Sequence, residues 1–174
     1  MVATQNPIEY QGTYPLPEAQ LNRFFFKLLV DYCPAEVERG ILVRYHEGFD
    51  AHRLGDLGME PVLAAGSLGA LRAECRSVTV AGGILDYITA LVRASRQSRD
   101  LLLGASPRAG IALLQGSKAL AALCGRDYVL PDDVKRLAAP VLRHRLLLKP
   151  EAEIEGLTPD LAIQRLLATV EVPR

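Results

Sequence analysis

The stretch "PDDVKRLAAPVLRHRL" carries the clearest period in the chain, with Val134, Leu137, Ala138, Val141 and Leu142 repeating at i, i+3, i+4, i+7 and i+8. That spacing predicts an amphipathic helix. Pro131 suits its first position, Asp132 and Asp133 suit the positive end of its dipole, and Pro140 should kink it. A second stripe runs from Pro107 to Cys124, where Leu113, Leu120 and Cys124 share a face with Ile111 and Leu114 beside it, and Gly125 follows as a C′ residue. A third helix begins after Pro34, with Val37, Ile41, Leu42 and Tyr45 on one face before Gly48. Weaker patterns predict helices at about residues 67 to 75 and 81 to 98, and Thr158 and Pro159 mark a last helix start, with Leu161, Leu166 and Val170 behind. Residues 46 to 66 are glycine-rich and read as a loop.

The first 32 residues follow a different pattern. Val2 and Ala3 pass into Thr4, Gln5, Asn6 and a Pro7 stop, as at the C-terminal end of a strand begun further upstream, so the chain is expected to start inside an element. Gly12 to Pro17 is a loop, and Glu18 to Arg23 has room for one or two helical turns. The run "FFFKLLV" reads as a buried strand ending at Asp31. The predicted fold class is mainly α. A remnant of an α/β core, one or two short strands in residues 1–32, precedes a helical bundle in residues 33–174.

Composition narrows the function. With 49% hydrophobic residues, 174 residues make one domain or slightly more on the usual ~100 to 200 residues per domain. Twenty basic and twenty acidic side chains cancel, so no nucleic acid or anionic membrane partner is expected. The sixteen Arg against four Lys fit either forked contacts to carboxylates and phosphates or a GC-rich genome. Cys33, Cys75 and Cys124 are too far apart in sequence for a disulfide framework or zinc site, and His46, His52 and His144 are equally scattered. Packed, reduced thiols, no membrane span and no signal pattern together predict a cytoplasmic protein.

Two stretches imitate nucleotide motifs. "GIALLQGSK" has five residues between its glycines, and Ser117 precedes Lys118 where a phosphate loop needs Lys first. It also lies on a helical stripe, where its amides are already used. "FKLLVDY" looks like an acidic strand end of the Walker B type, but Tyr32 stands where a catalytic Glu would be required. The Arg93, Arg96 and Arg99 series reads as a solvated helix face.

Taken in order, "VATQNPIEYQGTYPLPEAQLNRF", "GASPRAGIALLQGSKALAALCGRDYVLPDDVK" and "PVLRHRL" resemble the C-terminal part of the MoxR family of AAA+ ATPases over nearly the whole chain. The resemblance implies three functional positions. Asn6 matches sensor 1, which positions the attacking water or reads the γ-phosphate. Arg23 matches the arginine finger inserted into a neighbouring subunit's nucleotide site. Arg108, in "SPRA", matches sensor 2, which reports nucleotide state to the lid. On residue chemistry alone, Asn6 also fits an Asx turn before Pro7, Arg23 a surface ion pair with Glu18, and Arg108 a capping or salt-bridging role.

The resemblance further implies ATP and Mg²⁺ as the intact protein's ligands, assembly into a hexameric ring, and chaperone-like action on proteins with von Willebrand factor A domains. Whether Arg108 serves its own subunit or a neighbour is open. Two departures stand out. Asn22 replaces the acidic residue that commonly precedes the finger, and neither a phosphate loop nor an acidic Walker B pair occurs in the sequence. The chain alone is therefore expected to bind nucleotide weakly and not to hydrolyse it. The alternative is a non-catalytic helical interaction module derived from the lid.

Overall fold

The structure, a computed structural model, describes the chain except residues 6–16, 54, 56, 57, 59 and 174 and the side chains of Glu18 and Ala19. Its elements in order are α1 (Glu18–Leu21), α2 (Ala35–His46), α3 (Ser67–Ser77), α4 (Gly82–Gln97), β1 (Leu101–Leu103), α5 (Pro107–Leu123), α6 (Pro131–Leu142), β2 (Leu147–Leu148), α7 (Pro150–Ile154) and α8 (Pro159–Thr169). The fold is mainly helical, as the periodicity predicts.

The chain forms two compact units, one comprising Met1–Lys27 with Cys75–Arg174 and the other Leu28–Glu74. In the first unit α5 packs chiefly on α6 and α4, and α8 closes the bundle against α4 and α6. Leu91 of α4, Leu113 of α5, Val134, Val141 and Leu142 of α6 and Ile163 of α8 form its fully buried centre. Side chains this completely enclosed typically cost ~2 to 5 kcal/mol when a Leu or Ile is cut back to Ala. Strands β1 and β2 pair antiparallel, with Leu101 opposite Leu148 and Leu103 opposite Leu147. In the second unit, neither α2 nor α3 has a buried residue, and the apolar face Val37, Ile41, Leu42 and Tyr45 is exposed.

The helix ends obey local chemistry. At the end of α5, Gly125 takes φ +71°, its N–H reaches Ala122 O at 2.9 Å, and Arg126 N–H reaches Ala121 O at 2.9 Å. These two bonds are the Schellman closure, which needs a left-handed residue at this position. Thr158 caps α8 by accepting the Leu161 N–H at 3.3 Å. At α6, Asp133 reaches back to the Leu130 N–H at 2.8 Å and takes a bidentate ion pair from Arg126 at 2.6 and 2.9 Å. Burial works against the Asp133 carboxylate, but Arg126 and the Leu130 amide outweigh it and hold its pKa below the ordinary value.

Four expectations change. "FFFKLLV" is not a strand, and Leu28, Leu29 and Val30 are 71%, 64% and 95% exposed. An apolar run becomes a buried strand only beside other strands, and among the described residues none flanks it. Residues 1–5 likewise form no strand and are exposed, and the strands present are β1 and β2, inside the helical part. The buried face of α5 is built from small residues, Ala109, Ala112, Gly116, Ser117 and Ala121 around Leu113, while Ile111 and Cys124 face solvent. Small residues let α6 approach closely. A Cβ on Gly116 would lie 3.1 Å from Leu137 Cδ1, 3.5 Å from Phe25 Cε1 and 3.7 Å from Phe26 Cζ. In α8, Leu161 is 45% exposed, and Ala162, Ile163 and Leu166 face the core.

Candidate functional site

Asn6 lies outside the described residues. Arg23 and Arg108 are both exposed, and each projects from a segment whose backbone is fixed by buried groups.

Arg108 sits in the first turn of α5, after the tight connection Gly104-Ala105-Ser106. Two side chains of α4 grip that connection. The buried Ser95 hydroxyl donates to Val92 O at 2.7 Å and accepts the Ala105 N–H at 2.9 Å, while Arg96 Nε donates to Ala105 O at 2.8 Å. Arg96 is therefore not merely part of a solvated row, because one of its nitrogens serves a backbone carbonyl. The connection crosses α4 so closely that a Cβ on Gly104 would lie 2.7 Å from Arg96 N, Arg96 Cα and Ser95 C. Only glycine fits such an approach without moving backbone. Ser106 is the N-cap residue of α5, yet its side chain makes no capping bond, and its buried Oγ has no partner among the described residues.

Arg23 belongs to the segment Asn22–Lys27, which the basic triplet after α6 binds along its length. Arg143 Nη1 donates to Lys27 O at 3.0 Å, and the Lys27 N–H donates to Pro140 O at 2.9 Å. His144 Nε2 lies 3.0 Å from Phe24 O. A carbonyl only accepts, so Nε2 carries the proton, and the buried Nδ1 is left without a partner among the described residues.

Arg145 is 7% exposed. Its Nε donates to Asn22 Oδ1 at 3.2 Å, Nη1 to Phe25 O at 3.1 Å and to Val141 O, and Nη2 to Phe24 O at 2.6 Å and Asn22 O at 3.5 Å. All five acceptors are uncharged. Phe25 and Phe26 stack edge to face at 4.6 Å and touch α5 at Gly116, but each is 39% exposed, so the buried cation is the main hold on these six residues.

The electrostatics link the two arginines of interest. Burial first, then repulsion from Arg108, lower the Arg145 pKa. Arg108 is thus within electrostatic reach of the guanidinium that binds the backbone on both sides of Arg23. For His144, burial lowers the pKa, the Phe24 carbonyl opposes that, and Arg145, Lys27 and Arg143 lower it further. The imidazole is neutral in the folded protein near neutral pH.

An exposed Arg in the first turn of a helix fits a phosphate oxygen, which needs donors and positive potential. Among the described residues no group of three or more His, Cys, Asp or Glu is arranged to hold a metal, so Mg²⁺ ligands are not assigned to them. No helix among the described residues is long and apolar enough to cross a membrane. The near-Walker stretch is structural. Ser117 is fully buried in α5, and Lys118 Nζ donates to Arg76 O at 2.6 Å. Sequence reasoning missed Ser95, Gly104 and the triplet Arg143 to Arg145. The signal available was "RHR" at a helix end, but its partner lies about 120 residues away.

Residues 93–166 match the AAA lid domain, and residues 1–26 match the ATPase family associated with various cellular activities (AAA). A Bacillus subtilis (strain 168) protein, the uncharacterized protein YeaC, is 41% identical over 173 residues, covering 99% of this chain and 52% of its own length. Chaperone MoxR1 of Mycobacterium tuberculosis (strain H37Rv) is 37% identical over 188 residues, covering 100% of this chain and 47% of its own. A crystal structure of an ATPase candidate from Cytophaga hutchinsonii superposes with a TM-score of 0.85 at 35% identity, covering 98% of this chain and 53% of that one. The chain spans about half the length of the curated relatives it matches. Over nearly its whole length the chain is similar to MoxR proteins of the AAA+ ATPases, and residues 93–166 match the AAA lid domain.

Proposed function

We propose that the chain supplies the finger and sensor residues of a MoxR-like ATP site, with Arg23 entering a neighbouring subunit's nucleotide site and Arg108 reading the phosphates of its own subunit's nucleotide or a neighbour's. Residues 1–32 then act as the end of the nucleotide-binding core and residues 33–174 as the lid, and Asn6 is assigned to sensor 1. The observation that carries the proposal is the anchoring of Arg23, an exposed cation on a segment held by a buried guanidinium, with the half-exposed Phe25 and Phe26 touching α5 beside it. Phosphoryl transfer gains most from fixed positive groups at the place where charge develops, and arginine fingers contribute ~10³ to 10⁵ in rate. A mobile surface arginine would not need that support.

ATP with Mg²⁺, ring assembly, cytoplasmic residence and chaperone-like work on von Willebrand factor A domain proteins complete the reading. For the test, this chain replaces the segment it matches in the full-length Bacillus subtilis relative, and ATP turnover is measured. Arg23→Ala should lower kcat by about 10³-fold with KM for ATP nearly unchanged, and Arg108→Ala should lower turnover as well. Unchanged kcat in Arg23→Ala would remove the finger assignment. An equally slow parent chimera that binds a von Willebrand factor A domain without ATP would favour a non-catalytic interaction module.

A further inference from the structure

Arg145 presents an unusual chemical situation. A buried guanidinium remains charged at neutral pH, and such a charge is costly unless its donors are satisfied or a carboxylate faces it. Here its five acceptors are uncharged oxygens, four from backbone carbonyls and one from Asn22. Three of the four carbonyls belong to Asn22, Phe24 and Phe25, the residues that bracket Arg23, and the fourth is Val141 in α6. The fork therefore binds the chain immediately before and after Arg23 while leaving the Arg23 side chain exposed.

We propose that Arg145 is the positioning residue of Arg23, a cross-link from the turn after α6 that fixes the direction in which Arg23 leaves the surface. The proposal rests on the reading of Arg23 as a finger. Arg145 touches no nucleotide in this scheme and acts only through residues 22 to 25. His144 and Arg143 extend the cross-link to Phe24 and Lys27, so a movement of α6 is transmitted to the finger segment as a unit. Because α6 packs on α5, the helix with Arg108 in its first turn, the lid's packing and the finger's direction share one connection. Asn22 takes a further role: its Oδ1 accepts the Nε–H, so it completes the grip on Arg145 and does not orient Arg23 by an ion pair.

The cross-link is read by amide hydrogen exchange in the 174-residue chain. In Arg145→Met the Phe24 and Lys27 amides should exchange at least about 10-fold faster, while core α5 amides such as Leu113 keep their protection. Arg145→Lys should fall between, and Asn22→Asp, which gives the cation a carboxylate, should slow exchange at Phe24. Where Arg145→Met fails to fold, Arg145→Lys and Asn22→Asp carry the same comparison. The positioning role is then read in the chimera with the Bacillus subtilis relative. Misplacing a group that acts on the transition state should lower kcat by up to about 10²-fold and leave KM for ATP unchanged, with partial recovery in Arg145→Lys.

Unchanged exchange at Phe24 and Lys27 in these variants would overturn the cross-link. Faster exchange with full kcat would overturn the positioning role even if Arg23→Ala is slow. Full kcat in Arg23→Ala would instead show that the finger reading itself has failed, with the cross-link still measurable in the chain.

Discussion

The Arg145 guanidinium points its Nε at Asn22 Oδ1, 3.2 Å away, so a buried cation faces an amide. Asn22→Asp places a carboxylate at that position with little change of shape. A charged partner should make the bond shorter and stronger, and stability should rise by about 1 to 3 kcal/mol at pH 7. The new carboxylate's folded pKa should fall below its unfolded value, so the gain is present above about pH 4 and is lost as pH falls through the folded pKa. Urea unfolding at pH 7 and pH 3 measures it. A lower midpoint at pH 7 in Asn22→Asp would mean that the guanidinium is already satisfied by its carbonyls.

His144 gives a second pH dependence. Burial lowers its pKa in the folded protein, with Arg145, Lys27 and Arg143 adding repulsion. As pH falls through the ordinary value of about 6.5, the unfolded chain takes up a proton before the folded chain does, so stability declines, and it levels off below the folded pKa. Unfolding free energies between pH 5 and 8 should fall toward acid in the native chain and be flatter in His144→Gln. Equal slopes for the two proteins would exclude the mechanism.

Gly104 tests how Arg108 is held. A methyl group there would meet backbone atoms of α4 at 2.7 Å, so Gly104→Ala must push the 104–106 connection away from Ser95 and Arg96. Overpacking of this kind costs ~1 to 3 kcal/mol. Ser95→Ala should cost a comparable ~1 to 3 kcal/mol by leaving the buried Ala105 N–H without its acceptor. Both changes should displace the start of α5, visible as altered backbone NMR shifts at Arg108. A Gly104→Ala protein with native stability and shifts would contradict the close crossing.

The sequence was most legible where one local signal decides the outcome. Gly125 had to close α5, and Thr158 with Pro159 had to open α8, because capping involves residues within a few positions of one another. The stripe of α6 was equally plain, since Val134, Ala138, Val141 and Leu142 fall on its buried face. The largest apolar side chains do not mark the buried face of α5, because close helix contact selects Ala109, Ala112, Gly116 and Ala121 around Leu113. "FFFKLLV" has strand composition, but a strand is defined by its neighbours, and the described part of this chain provides none beside it. The finger and sensor positions came from motif resemblance, while their supports did not. The bonds from Arg145 to Phe24, and from His144 to the same carbonyl, join residues about 120 apart, which no local pattern encodes.

Whether Arg23 acts on a neighbouring subunit's ATP is decided by subunit mixing. One version of the Bacillus subtilis chimera carries Arg23→Ala with its ATP-binding segment intact. The other keeps Arg23 but has that segment inactivated, and each alone should be nearly inactive. Mixing them should restore ATP turnover well above the sum of the two, because an intact finger then reaches an intact site in the next subunit. Turnover that stays at the sum of the separate proteins in mixed assemblies would contradict the claim.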